Sequence, residues 1–284
     1  KVNKLSLKQL TSLVLILVFV TYHFFWSYYI YNGLLIELYQ QDKILKEINI
    51  SIQLKTKKNK MIIKTSNEYF LQIKNVDFTY LNKNKIFSKI DLNFEYSKSY
   101  AIIGKIGSGK SSLLKILFGI YFPEKGDIII NKNIHRNLTK NMHWRKYFNY
   151  LQQSPILFGR NIEDNLYYNG NKDTINKYIK EMELEPIFKK LKLERKNQKL
   201  EKLGEGISGG QKQIINFLRI LGNPKPIILM DEPTSSLDLH TKKIFYKMFM
   251  KLKTLNKLII VVTHDTNLEK LCDHKLNLSS INKM

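Results

Sequence analysis

The chain has 284 residues, 43 % of them hydrophobic, and a single cysteine, Cys272, so it can bury a sizeable core, is too apolar to be disordered and has no internal disulfide framework. Its formal charge is +23, yet Arg136, Arg145, Arg160, Arg195 and Arg219 are its only arginines; the rest is lysine scattered among asparagine and isoleucine. Recognition of bases and phosphates leans on arginine's bidentate fork, so the charge reads as a codon bias toward A and T rather than a selected patch and argues against a nucleic-acid partner, with acidic lipid headgroups as the alternative anionic surface.

Residues 1–9 are polar and carry Lys1, Lys4 and Lys8. From Leu10 to Ile30 the chain reads LTSLVLILVFVTYHFFWSYYI, with no Asp, Glu, Lys or Arg. A helix of that length rises about 30 Å, the thickness of a bilayer's hydrocarbon core. Tyr22, Trp26, Tyr28, Tyr29 and Tyr31 crowd one end as an interfacial aromatic belt does. The run predicts a transmembrane helix within residues 1–36, with His23 near the interface or facing another helix. It is too long for a signal peptide, and no small-residue cleavage pattern follows it. Over 37–67, Leu38, Ile44, Leu45 and Ile48 are loosely helix-periodic, and Lys55, Lys57, Lys58 and Lys60 follow. This segment reads as a helical extension and a basic linker. The chain opens on Lys1 rather than Met, which predicts processing or a fragment of something longer.

From Tyr69 the pattern changes to short strands: YFLQIKNVDFTY, IDLNFEY and SYAIIG. Farther on, DIIIN, PIILMD and LIIVVTH alternate with helix-like QKQIINFLRIL and TKKIFYKMFMKL. Near-continuous apolar strands alternating with helices predict a parallel α/β core, and the early strands predict an added antiparallel β piece.

Gly104-Lys105-Ile106-Gly107-Ser108-Gly109-Lys110-Ser111 fits the pattern G-x-x-x-x-G-K-[ST], after an apolar strand and before the helix SSLLKILFG. Glycines at 104, 107 and 109 let backbone N–H groups wrap phosphates without a side-chain clash. Lys110 is expected to pair with the β- and γ-phosphates of ATP, and Ser111 to bind Mg²⁺. The apolar strand Ile227–Met230 then ends in Asp231 and Glu232. Such strand ends carry ligands. Asp231 is expected to orient Mg²⁺ through water, and Glu232 to act as general base toward the attacking water.

Ile207-Ser208-Gly209-Gly210-Gln211 resembles the LSGGQ signature of the ABC transporter family, and with the phosphate loop and the Asp-Glu strand end the match is specific. The resemblance covers about residues 70–280, within an ATP-binding domain expected over 68–284. It implies a P-loop NTPase fold of the ABC ATPase type: an α/β core with an antiparallel β subdomain and a helical subdomain, preceded here by the transmembrane helix. Gly104 through Ser112 are implied as the phosphate cradle. Tyr80 stands where the family stacks an aromatic on adenine. Gln153 stands at the glutamine that meets Mg²⁺ and the membrane domain; Gln152 competes, and Gln153 has the family's spacing to Phe158. Ser236-Leu237-Asp238 resembles the D-loop, and His264 the histidine that contacts the γ-phosphate. Catalysis is thus implied for Lys110, Gln153, Glu232 and His264, and metal binding for Ser111, Gln153 and Asp231. Ser208 through Gln211 open a helix whose N–H groups form an anion site; in the family that site closes on ATP held by a second subunit.

One apolar run directly upstream of the ATPase, and LQQSPILFGRNIEDNL around Gln153, look like an exporter half-transporter that has lost its first helices. The implied partners are the membrane and a second half-transporter, identical or not; the transported substrate is unknown. An ATPase tethered to separate permease subunits, or an ABC ATPase acting on nucleic acid or ribosomes, are the alternatives. Two departures stand out. Leu203–Gly206 is shorter than exporters have at the stretch that touches the membrane domain, and Ile207 replaces the usual leucine.

Overall fold

The structure, a computed structural model, describes residues 69–80, 85–131, 133–134, 142–158, 161–194 and 207–281, together with Phe19 and Tyr22. The chain divides into two units, Lys1–Lys60 and Met61–Met284, and the elements below belong to the second. In the first, Phe19 and Tyr22 are helical and exposed. The span expected over Leu10–Ile30, the extension over 37–67 and the shortened Leu203–Gly206 stretch otherwise lie outside the described residues. Among the described residues no helix is long and apolar enough to cross a membrane.

Four strands form an antiparallel sheet: β1 (Tyr69–Thr79), β2 (Lys85–Glu95), β4 (Lys125–Ile130) and β5 (Asn133–Ile134), in the order β2-β1-β4-β5. In β2, Ile90, Leu92 and Phe94 point inward while Asp91, Asn93 and Glu95 face solvent, the alternation of a half-buried strand. The strand begins at Lys85 rather than at Ile90, because Phe87 is also fully buried and pairs across from Phe78.

The second sheet has five parallel strands: β3 (Ser99–Ile103), β6 (Phe148–Leu151), β7 (Ile227–Asp231), β8 (Leu258–Val262) and β9 (His274–Asn277), ordered β6-β7-β8-β3-β9. Every residue of β7 and β8 is buried, which explains their unbroken apolar runs. The flanking β6 and β9 are short and mixed in polarity, and the sequence pattern did not reveal them.

The helices are α1 (Lys110–Phe118), α2 (Ile162–Leu166), α3 (Lys172–Glu181), α4 (Glu185–Glu194), α5 (Gly209–Gly222), α6 (Leu239–Lys253), α7 (Thr266–Leu271) and α8 (Leu278–Ile281). α5 buries Ile214, Ile215, Phe217, Leu218 and Leu221, a helical stripe that fixes which face meets the core. Ser208 starts it with a capping box: Gln211 N–H donates to Ser208 Oγ at 3.2 Å, and Gln211 Oε1 accepts from Ser208 N–H at 3.0 Å. Phe217 packs on Phe245 of α6 with ring centroids 4.8 Å apart, and truncating either to alanine is worth about 3–5 kcal/mol.

Candidate active site

The segments carrying candidate residues leave the carboxyl ends of parallel strands: Gly104 follows β3, Gln153 follows β6, Glu232 follows β7 and His264 follows β8. Ligands bind at that edge of such sheets.

The phosphate loop joins β3 to α1. Gly109, at the N-cap of α1, has φ 89°, and a Cβ there would come within 2.7 Å of Ile86 and 2.8 Å of Phe87. Only glycine closes the loop in this form. No side chain caps α1 and its first turn holds no acid, so its N–H groups and the positive end of its dipole are available to an anion. Lys110 is 7 % exposed and folds back across the loop, donating Nζ to the carbonyls of Gly104 (2.8 Å) and Lys105 (3.0 Å). Lys105 N–H donates to Ser279 Oγ at 3.0 Å, which ties the back of the loop to α8. Ile106 is 94 % exposed at the tip, and Ser108 Oγ is buried with no partner. Tyr80 OH and Ser112 Oγ share a 2.7 Å hydrogen bond. The Tyr80 ring meets Phe78 and Tyr121 edge-on at 5.0 and 5.2 Å, making an aromatic wall beside the loop.

Asp231 is 5 % exposed. Ser111 Oγ donates to its Oδ1 at 2.8 Å, and Tyr150 OH to its Oδ2 at 3.2 Å. Glu232 has φ 45°, in the left-handed region that costs a non-glycine residue strain. It is held there by its N–H to Val262 O (2.9 Å) and by Ser235, whose N–H and Oγ donate to its carbonyl at 3.1 and 2.9 Å. Its Oε1 lies 3.3 Å from His264 Nε2. Burial pushes the Glu232 carboxyl above its ordinary range, and the neighbouring His264 only partly offsets this.

One cleft of about 830 Å³ gathers these groups. Tyr80, Ile106, Gly107, Gly109 through Ser112, Gln153, Glu232 and His264 line it. Gln153 faces the cleft, whereas Gln152 does not line it and uses its carbonyl to accept from Gln213 at 3.4 Å. Gly104, Lys105, Ser108 and Asp231 do not line the cleft, although Asp231 is bonded to Ser111, which does. Thr234, Ser235, Lys242 and Asp265 also line the cleft, and sequence reasoning missed them. Lys242 Nζ sits 3.7 Å from Asp265 Oδ2, which accepts from Tyr246 OH at 2.6 Å. Burial alone would raise the Asp265 pKa; hydrogen bonds from Tyr246, Thr234 and two backbone N–H groups lower it overall.

Ser208 through Gln211 and Asp238 are outside this cleft. A Cβ on Gly210 would approach Thr241 Cγ2 to 3.2 Å, so the start of α5 abuts the start of α6. Asp238 is the N-cap of α6, accepting from Thr241 N–H at 2.7 Å, and that bond holds its carboxyl below the ordinary range.

The residues present fit MgATP. Ser111 and Asp231 offer hard oxygen donors beside an uncapped helix start, and among the described residues no three His, Cys, Asp or Glu side chains gather as a metal site. A cation here would draw its other ligands from phosphate and water, as Mg²⁺ does.

A parallel sheet, a phosphate loop and an Asp-Glu strand end on one cleft define a P-loop ATPase domain. The sequence matches the ABC transporter family over residues 87–235, just over half of the chain, and the protein belongs to that family. It is 32 % identical over 212 residues to a probable ABC transporter ATP-binding/permease protein of Haemophilus influenzae, covering 74 % of this chain and 38 % of the relative. It is 32 % identical over 198 residues to the lactococcin-A transport/processing ATP-binding protein of Lactococcus lactis, covering 68 % and 27 %. A putative ABC transporter ATP-binding protein of Methanocaldococcus jannaschii is 30 % identical over 205 residues, covering 70 % of this chain and 72 % of the relative. The chain therefore spans well under half the length of the first two relatives. A bacterial Atm1-family ABC exporter solved with ATP bound shares the fold at a TM-score of 0.66, with 21 % identity over 84 % of this chain and 43 % of that one.

Proposed function

We propose that the chain is the ATP-binding and ATP-hydrolysing part of an ABC exporter, one of two halves that close on two ATP molecules. The observation that carries this reading is the convergence on one cleft of Ser111 with Asp231 at 2.8 Å and Glu232 with His264 at 3.3 Å.

Lys110 exchanges its contacts to the Gly104 and Lys105 carbonyls for the β- and γ-phosphates, while the N–H groups at the start of α1 hold the phosphate oxygens. The Tyr80 ring supports adenine. Ser111, Gln153 and Asp231 would hold Mg²⁺, which would supply positive charge against the phosphate oxygens. Glu232 takes a proton from water as the water oxygen bonds to the γ-phosphorus. The bond from that phosphorus to its bridging oxygen breaks, giving ADP and phosphate. A carboxylate with a raised pKa is better matched to this task. His264 holds Glu232 in place and reaches the γ-phosphate. Ser208 through Gln211 and Asp238, which lie off the cleft, complete the ATP site of a second, identical or related chain.

The apolar run Leu10–Ile30 serves as a membrane span, and residues 37–67 tether it to a cytoplasmic ATPase domain at 68–284. The Haemophilus relative carries an ATP-binding/permease name, which supports this assignment. A second reading, an ATP-binding subunit serving separate permease subunits, is supported by the Methanocaldococcus relative, of which the chain covers 72 %. ATP-driven dimerisation of Glu232→Gln in detergent tests the sandwich. A variant that binds ATP yet stays monomeric at all concentrations contradicts it.

A further inference from the structure

Both oxygens of the buried Asp231 carboxylate are engaged, and only one donor comes from the phosphate loop. The other is Tyr150, in β6. Tyr150 pairs in register with Leu229 of the adjacent β7. Asp231 is two residues beyond Leu229 on the same face. The phenol thus runs diagonally across the strand pair, within the reach of a long side chain, and its OH lands 3.2 Å from Asp231 Oδ2. The ring is steadied against Phe118, at the end of α1, with centroids 5.2 Å apart.

We infer that Tyr150 is a positioning residue for the divalent cation, its hydroxyl fixing the Asp231 carboxylate in the orientation that lets Asp231 and Ser111 hold the metal together. This rests on the reading of Ser111 and Asp231 as the metal-binding pair. Ser111 spends its proton on Oδ1, which leaves its lone pairs free for a cation. Tyr150 spends its proton on Oδ2, which stops the carboxylate plane from turning about its last side-chain bond. Groups that orient a ligand in this way change metal affinity by roughly 10–100-fold when removed.

The test uses the full chain in detergent, with Mn²⁺ as the probe, read by electron paramagnetic resonance in the presence of a non-hydrolysable ATP analogue. Tyr150→Phe keeps the ring and its contact with Phe118. Tyr167→Phe is the control, because its hydroxyl donates to the exposed Asn176 at 2.7 Å. Tyr150→Phe is expected to bind Mn²⁺ about tenfold more weakly than the parent while analogue binding in EDTA and the melting temperature stay unchanged, with Tyr167→Phe like the parent. Equal Mn²⁺ affinity in Tyr150→Phe and the parent overturns the inference. So does a parallel loss of metal-free analogue binding or of melting temperature, which would make Tyr150 a packing residue. A parent chain that binds the analogue in EDTA but never Mn²⁺ overturns the assignment of Ser111 and Asp231, and this inference with it.

Discussion

Ser111 and Asp231, 120 residues apart in sequence, are joined by a hydrogen bond of 2.8 Å from Oγ to Oδ1. It fastens the first turn of α1 to the end of β7, the two elements to which the proposed function assigns the nucleotide phosphates and their cation. Ser111→Ala leaves a carboxylate that is 5 % exposed with one donor fewer, a loss of about 1–3 kcal/mol. Urea denaturation should show that loss without nucleotide. It should also show a smaller stabilisation by MgATP than in the parent, since a ligand stabilises only in proportion to its affinity.

Gly109→Ala should be more damaging than its size suggests. The new methyl meets Ile86 and Phe87 at 2.7 and 2.8 Å, on a backbone at φ 89°. Strain of this kind costs about 1–3 kcal/mol, and its relief must distort the loop that faces the phosphates. Titration with a fluorescent ATP analogue should show binding weakened by more than tenfold relative to the parent, on the order of 1.4 kcal/mol or more.

Ser208→Ala separates structure from function at the signature. Loss of the cap on α5 should lower stability by about 1 kcal/mol, read from a thermal melt. Because Ser208 is off the cleft of its own chain, ATP binding by isolated monomers should be unchanged. Turnover by the assembled dimer should fall. Weakened ATP binding in the monomer would place the signature in the wrong site.

Acid should weaken the fold through Asp273. Burial would raise its pKa, but Ser99 Oγ at 2.6 Å, Ser99 N–H at 2.8 Å and Lys253 Nζ at 2.9 Å outweigh this and bring it from 3.8 to about 2. A carboxyl depressed in the folded state contributes stability above its unfolded pKa and loses it as pH falls through the folded one. The window therefore runs from about pH 4 down to about pH 2. The side chain is 32 % exposed, so screening holds the effect to about 1 kcal/mol. Asp273→Asn should flatten the acid limb of a stability-against-pH curve over that window.

Much of this site was legible in sequence because its chemistry is local. A glycine loop before a helix, an apolar strand ending in Asp231 and Glu232, and His264 after β8 each declare themselves within a few residues. The central strands were equally plain, since β7 and β8 are buried on both faces and read as unbroken apolar runs. β6 and β9 escaped because flanking strands need no such pattern. Tyr150 was missed with β6, as nothing nearby in sequence links a tyrosine to Asp231. Lys242 and Asp265 were missed for a related reason: they reach the cleft from the starts of two different helices, α6 and α7, and meet only in the folded chain. Ser208 through Gln211 were readable as a helix start; the resemblance implied that they serve a second subunit, and in this chain they lie outside the cleft.

ATP turnover by the full chain in detergent, compared with Glu232→Gln at several protein concentrations, tests the central claim most directly. The account predicts turnover that rises more steeply than linearly with concentration in the parent. It predicts a loss of at least ~10²-fold in Glu232→Gln, with ATP binding kept. Undiminished turnover in Glu232→Gln would remove Glu232 from the role of base and contradict the mechanism.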